Sequence, residues 1–525
     1  MEQLVNYRHK IDFLISESMP LIQPVQTSKR KSNTYKKCNE CNRKRKTLDE
    51  SHQICHVCYK IKKLFKSSGN KVIDDFIRHT QVNYVRKEDG KLEIVPYDQF
   101  KNIEFIAEGG FSKIYKATWV DGPIRNWDMI KSDNWKITRS NNYTVVLKRL
   151  NDSKNITSKE LNELKVFYQI YSNTEALYTR YNISNYFGIT QDPITNDFII
   201  IMPYYNSGDL IHYISNDFYN ISWYTKLDKL DDIALGLSDI HELGIIHRDF
   251  HSGNIFFSNY RAYIGDLGIS KSATECADNI NENYGIIPYM APEIFQGQKY
   301  TTASDIYSFG MIMWEFMTGR RPFWDRNHDI ELIIKICDGL RPQIVTNAPE
   351  GYVELMKECW HSDPHKRPIA DDLESKVWKI KKNERKNSKN NNPTKIIKSL
   401  DIGPVSKNNP GAIYKSRPLS HMIQSAISSR SSRSRSTTNL EIDPFYYYQK
   451  NNIGSIGKRK LDDDSVEVED SNNNDLSIKR RKLFKNETSD YLTKEIELDI
   501  NTNLIQSQNN EYITKEFDID INNLT

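Results

Sequence analysis

Apolar positions are thin over residues 1–96, dense over residues 97–377 and thin again over residues 378–525. Inside the dense stretch the short-period patterns come first. Asn102-Ile103-Glu104-Phe105-Ile106 alternates, and Lys113-Ile114-Tyr115-Lys116-Ala117 resumes the alternation after Gly109-Gly110. Thr144-Val145-Val146-Leu147-Lys148 is a short β-branched run, so all three segments read as strands. From about Thr157 the period lengthens, with Leu161, Leu164, Phe167 and Tyr168 spaced for an amphipathic helix. The rest of the dense zone reads mostly as helices joined by loops. Strands first and helices afterwards predict an α+β arrangement of two lobes, residues 97–202 and 206–377. The residues between Trp119 and Tyr143 are too many for a tight hairpin, so an exposed insertion is expected there.

Composition explains the thin zones. Hydrophobic residues are 38% of the 525-residue chain, against about 45–50% in a globular domain. Residues 378–525 are dominated by Asn, Ser, Lys and Asp, as in Lys386-Asn387-Ser388-Lys389-Asn390-Asn391-Asn392. Such a segment buries too little apolar surface to offset chain entropy, which predicts a disordered regulatory tail. Net charge is +4, from 73 basic and 69 acidic residues, so charge informs only locally. The longest apolar run, Phe198-Ile199-Ile200-Ile201-Met202, falls far short of the roughly 18 residues of a membrane span. The start, Met1 to Arg8, lacks the basic-then-apolar order of a secretory signal. The expectation is an intracellular protein of cytoplasm or nucleus with no membrane partner.

Four of the seven cysteines crowd into residues 38–58, a pattern of metal binding in a reducing compartment rather than of a disulfide framework. Cys38-x₂-Cys41 and Cys55-x₂-Cys58 lie thirteen residues apart. Two such knuckles can set four thiolates tetrahedrally around a structural Zn²⁺, in a zinc-ribbon-like module of about residues 36–60. His52 and His56 are read as bystanders, and Cys276, Cys337 and Cys359 as inert. Residues 29–46 carry nine Lys/Arg and one acid, Glu40. Nucleic-acid contact is therefore a second reading of this module. With only Tyr35 and Tyr59 as nearby aromatics, a solvated basic face or a protein-docking knob is favoured.

The dense zone holds an ordered set of phosphate-handling groups. Ile106-Ala107-Glu108-Gly109-Gly110-Phe111-Ser112, with Ile114 beyond, joins two strands through small residues that let backbone N–H groups approach a phosphate. Lys148 closes the third strand, and Glu163 on the following helix could hold its ammonium. Then come His247-Arg248-Asp249-Phe250-His251-Ser252-Gly253-Asn254, Asp266-Leu267-Gly268 and Ala291-Pro292-Glu293. One carboxylate can serve as base, while an amide and a second carboxylate supply oxygens for a hard cation such as Mg²⁺.

In this order the motifs of residues 97–377 resemble those of a eukaryotic protein kinase. Trp360, Pro364, Arg367 and Pro368 look like the tyrosine-kinase-like group. The resemblance implies a bilobal fold, with a small β-rich N-lobe and a large helical C-lobe. It implies that Asp249 orients the substrate hydroxyl, that Asn254 and Asp266 hold Mg²⁺, and that Lys148, fixed by Glu163, binds the nonreacting phosphates of ATP. Met202 and the backbone from Pro203 through Tyr204 to Tyr205 would hold adenine, and Asp209 the ribose. Asp305 would brace the catalytic loop and Arg367 would pair with Glu293. Arg248 implies control by phosphorylation between Asp266 and Glu293, with Ser270, Ser272, Thr274 and Tyr284 as candidates.

There are departures. Ala107 and Ser112 replace two family glycines, Leu267 replaces Phe, His251 stands where Ser/Thr kinases carry Lys, and Ile286 where they carry Thr. Serine/threonine specificity therefore rests on group analogy. The competing reading, a pseudokinase scaffold, would need a lost Lys, base or metal ligand, and none is lost. Protein substrates are the expected partners, with the chain itself among them. Ser428–Ser436 alternates Ser with Arg and suits phosphorylation in cis. Lys458-Arg459-Lys460 and Lys479-Arg480-Arg481-Lys482 are of nuclear-import type, and Phe445-Tyr446-Tyr447-Tyr448 is a docking candidate.

Overall fold

The computed structural model describes residues 35–49, 53–64, 67–82, 90–110, 112–127, 137–155, 161–172, 182–258, 261–272, 283–345 and 348–434. The chain divides into two compact units: residues 1–104, 115–179 and 185–204, and residues 105–114, 180–184 and 205–525.

The first unit begins with strands β1 (Tyr35–Lys37), β2 (Lys44–Asp49) and β3 (Ile54–Cys55), which pair in sequence order. Helix α1 (His56–Leu64) follows β3 directly. Helix α2 (Lys71–Val82) starts where the Asn70 side chain accepts the Val72 N–H at 2.9 Å, a cap of the usual kind. Next come β4 (Glu93–Ile94), β5 (Phe100–Glu108), β6 (Ser112–Trp119), β7 (Tyr143–Leu150), α3 (Asn162–Ser172), β8 (Gly188–Gln191) and β9 (Phe198–Pro203). The six strands form one sheet in the order β4-β8-β9-β7-β6-β5. Phe100, Trp119, Val145, Leu147, Ile199 and Ile201 make its core. The parallel β4–β8 pair is close at Gly188, where a Cβ would meet the Glu93 carbonyl at 1.9 Å, so only glycine fits.

Two expectations need correction here. Among the described residues before 97, part of the stretch read as polar joins the core. Leu92 and Val95 are buried, β4 is a strand of the main sheet, and Phe76 of α2 meets Tyr168 of α3 edge-on at 6.3 Å. The insertion after β6 is not simply exposed either. Ile124 and Trp127 are buried against Cys38, Cys55, Cys58 and Ile61, and Arg139 bridges to Glu93 at 2.6 Å. Apolar residues inside a polar insertion found a partner that only tertiary structure supplies.

The second unit contains α4 (Leu210–Asp217), α5 (Trp223–Glu242), β10 (Ile245–Ile246), β11 (Ile255–Phe257), β12 (Ala262–Ile264), β13 (Lys271–Ser272), β14 (Tyr284–Gly285), α6 (Pro292–Phe295), α7 (Thr302–Thr318), α8 (Ile330–Cys337), α9 (Tyr352–Cys359), α10 (Ala370–Lys389), β15 (Arg417–Pro418) and α11 (Ser420–Ser434). Helix α7 is buried on every face from Ser304 to Thr318, the signature of a central helix. It stops at Gly319, left-handed at φ 72°, whose N–H returns to the Glu315 carbonyl at 2.8 Å.

The tail expectation fails for residues 378–434. Helix α10 runs on to Lys389, and buried Glu384 accepts the Thr394 N–H at 2.9 Å and its hydroxyl at 2.7 Å. Gly403 donates to Thr318 O at 2.7 Å, Tyr219 Oη to Ile402 O at 2.9 Å, and Arg320 Nε to Gly403 O at 3.0 Å. Leu419, Ile423 and Ala426 are buried, and α11 packs on α8 and α6. A polar segment with little core of its own is ordered here by bonds to its host. The basic clusters and the Phe445–Tyr448 motif lie outside the described residues.

Candidate active site

In the second unit, Asp305 of α7 holds the turn after β10. Its carboxylate accepts the N–H groups of His247 at 2.8 Å and Arg248 at 3.0 Å, and contacts His241 Nε2 at 2.9 Å. This clamp sustains Arg248 at φ 72°, a conformation a side chain adopts only under constraint. Asp249 follows on the loop. Asn254 spends its Nδ2 on the Asp249 carbonyl at 2.9 Å. The β11–β12 hairpin carries the chain to Asp266, itself at φ 55°, with Gly265 N–H on the Asn254 carbonyl at 2.9 Å. The base candidate and both cation ligands are thus tied together through backbone. His251 Nδ1 accepts the Gly253 N–H at 3.0 Å, which leaves the proton on Nε2, 3.5 Å from Asp249 Oδ2. A neutral imidazole N–H thus faces the carboxylate where the family's Lys is absent.

Behind the loop, Ser252 Oγ meets Tyr289 Oη at 2.9 Å, and Tyr289 donates to Glu315 at 2.7 Å. Burial pushes the Glu315 carboxyl up to about 8. Arg367 forms a two-pronged pair with Glu293, at 2.6 and 2.7 Å. Ser270, a candidate phosphosite, is buried with its hydroxyl on His247 O at 3.2 Å, so it is not available for modification in this state. Thr274 and Cys276 lie outside the described residues.

One contact had no signal in the sequence. Ser416, on the segment expected to be disordered, donates its hydroxyl to Asp249, 2.8 Å from Oδ1 and 2.7 Å from Oδ2.

In the first unit, Lys148 on β7 is 9% exposed and its Nζ lies 2.9 and 3.2 Å from the Glu163 carboxylate oxygens. Tyr186 adds a hydroxyl to Glu163 Oε1 at 2.8 Å, a third member that no motif announced. Met202 is buried at the end of β9, and Lys116 Nζ lies 4.7 Å over the Tyr204 ring. In the hairpin tip, which belongs to the second unit, Ile106, Ala107 and Glu108 end β5. Gly109 N–H closes the turn on Ser112 O at 2.7 Å, with Gly110 between them and Ile114 on β6. Phe111 lies outside the described residues. Asp209, in the second unit, is 2% exposed and caps α4 through the His212 N–H at 2.9 Å. Its Oδ1 also meets His212 Nδ1 at 2.9 Å.

The four clustered cysteines come together. All four Sγ atoms lie within 4.8 Å of one another, and Cys41 and Cys55 are 3.8 Å apart. A tetrahedron with Zn–S of about 2.3 Å has edges of about 3.8 Å, so the sulfurs fit one ion. The first knuckle is shaped by Asn42, at φ 55°, whose N–H bonds Cys38 O at 2.9 Å. The hydrogen bond from Cys58 draws the Cys55 thiol down and drives Cys58 up, as expected where thiols share protons a metal would displace. Burial pushes Cys337 up to about 11, in keeping with an inert thiol. His52 is outside the described residues, and His56 is not in the cluster.

Residues 100–377 match the family described as protein tyrosine and serine/threonine kinase. The chain belongs to that family. A serine/threonine-protein kinase/receptor of Acanthamoeba polyphaga mimivirus is 28% identical over 53% of the chain and 15% of its own length. A LIM domain-containing serine/threonine-protein kinase of Dictyostelium discoideum is 32% identical over 30% of the chain and 24% of its own length. The pats1 serine/threonine-protein kinase of the same organism is 28% identical over 54% of the chain and 9% of its own length. The chain thus covers less than a quarter of these relatives. Among the described residues, no helix is long and apolar enough to cross a membrane.

Proposed function

We propose that this kinase-family chain transfers the γ-phosphoryl group of ATP to serine and threonine hydroxyls of proteins, in signalling. The observation that carries the reading is Asp249, whose two carboxylate oxygens receive a serine hydroxyl while Asn254 is tied to its backbone. The serine/threonine names of the relatives support the same specificity. Family membership implies ATP and Mg²⁺. Asn254 and Asp266 are the oxygen ligands that would hold Mg²⁺, which supplies charge neutralisation at the phosphates. Asp249 orients the acceptor hydroxyl and takes its proton. Lys148, positioned by Glu163 and Tyr186, binds the nonreacting phosphates. A pseudokinase scaffold is disfavoured because Lys148, Glu163, Asp249, Asn254 and Asp266 are all present. The test is phosphate transfer from ATP by wild type and by Asp249→Asn. Loss of roughly 10²-fold or more is expected for a group acting on the transferred proton; equal activity of the two would refute the assignment.

We further propose that the Cys38, Cys41, Cys55 and Cys58 cluster holds a structural Zn²⁺, since an S₄ set suits zinc in a reducing, intracellular compartment. Its burial against Ile124 and Trp127 favours a structural role over nucleic-acid contact.

A further inference from the structure

Residues 403–434 form a strap laid over the second unit, and the bonds that seat it are continuous. Asn409 N–H bonds Trp324 O at 2.8 Å, and His328 N–H bonds Gly411 O at 2.8 Å. His328 Nδ1 meets Ile413 O at 2.9 Å. Tyr414 donates to Pro322 O at 3.0 Å, with the Arg321 guanidinium 4.7 Å from its ring centre. Arg417 reaches His328 O at 2.8 Å. β15 then adds antiparallel to β14, pairing Tyr284 with Pro418 and Gly285 with Arg417. Leu419 N–H bonds Asn283 O at 2.8 Å, and its side chain is fully buried. This is how an extended peptide docks by strand addition, with main-chain bonds for affinity and side-chain seats for selectivity. Ser416 sits at the middle of the docked stretch, its hydroxyl on both oxygens of Asp249.

We propose that Ser416 is an intramolecular phosphoacceptor, and that residues 414–419 display in bound form the class of peptide this site accepts. That class has an aromatic residue two positions before the serine, a basic residue directly after it and an aliphatic residue three positions after it. The inference rests on the phosphotransfer reading above. In the step, the Ser416 Oγ–P bond forms as the bond from the γ-phosphorus to the ADP oxygen breaks. The hydroxyl proton passes to Asp249, and ADP leaves with the electron pair. The phosphoserine then carries a charge of about −1.5 to −2 against the Asp249 carboxylate. That repulsion expels the strap and opens the site to protein substrates.

The test uses the full chain, phosphatase-treated, then incubated with Mg·ATP over a hundred-fold range of protein concentration and mapped by mass spectrometry. The expected result is phosphate on Ser416 at a first-order rate independent of concentration, absent in Asp249→Asn. Phosphate transfer to an added peptide copying residues 411–423 should show a lag that preincubation with ATP removes. Ser416→Ala should abolish modification at that site, while Ser416→Thr should keep it. Phosphate on other residues or on the peptide with Ser416 unmodified would overturn the inference and leave the kinase reading standing. A Ser416 rate that rises with protein concentration would overturn the intramolecular assignment. No transfer by wild type to any acceptor would overturn both.

Discussion

The cysteine cluster and the strap are two additions to one catalytic fold, and they are held by opposite means. The cluster gathers four sulfurs within 4.8 Å inside a small apolar nest that includes Ile61, Ile124 and Trp127. The proposed zinc would lock that set through its own four thiolates. The strap seats Leu419, Ile423 and Ala426 in its host and otherwise takes its order from host carbonyls and N–H groups, from Trp324 and Pro322 through His328 to Asn283. A segment that folds by its own chemistry is stable until that chemistry is removed. A segment that borrows its partners can leave and return, which is what a regulatory segment needs.

The largest expected effect lies on the cluster side. Structural zinc contributes about 10–16 kcal/mol of apparent binding energy in small modules. Chelation, or Cys58→Ser, should therefore take zinc from one equivalent to near zero and open residues 35–64 to proteolysis. Because Phe76 and His79 of α2 lean on Tyr168 of α3, the helix that carries Glu163, the Lys148 pair should loosen as well. A rise of about ten-fold in the KM for ATP is expected, within the usual range of coupling between sites. An unchanged proteolytic pattern after complete metal removal would mean that the cluster is held by packing alone.

On the strap side, Leu419→Asp places a charge in a fully buried seat. If the strap covers the site in about nine molecules of ten, its release should lower the apparent KM for an added peptide about ten-fold. Melting of the catalytic fold should not change. Tyr414→Ala removes one hydrogen bond and the contacts with Arg321 and His328, and should do the same to a smaller degree, about three- to five-fold. Peptide kinetics for the two variants give the order directly.

The smallest effect is on pH. Burial, with Arg417 nearby, holds His328 below its ordinary value of 6.5. A base depressed in the closed state binds fewer protons there than in the open one. Closure is therefore fully favoured above pH 6.5 and weakens as pH falls below it. Activity on an added peptide should rise modestly, relative to Leu419→Asp, between pH 7 and pH 5.5. His328→Gln should flatten that difference.

Much of the catalytic fold was legible in the sequence because its chemistry is local. Lys148, His247 to Asn254, Asp266 to Gly268 and Glu293 are fixed residue types at fixed spacing, and the strands around them alternate cleanly. Cys38, Cys41, Cys55 and Cys58 were legible for the same reason. Ser416 was not. Lys415-Ser416-Arg417-Pro418 has no periodicity or motif, and its meaning exists only against Asp249 and β14. Tyr186 on Glu163 and Trp127 against the cluster were hidden likewise, since their partners are remote in sequence. The cap that Asp209 gives α4 was hidden too, because a carboxylate preceding Leu210 carries no mark of which role it serves.

The most direct measurement is the initial rate of phosphate transfer from Mg·ATP to an added serine peptide by wild type, Leu419→Asp and Asp249→Asn, side by side. A catalytic Asp249 covered by its own strap predicts that Leu419→Asp outruns wild type at low peptide concentration and that Asp249→Asn is silent. A Leu419→Asp rate equal to wild type, or an Asp249→Asn rate equal to either, would contradict it.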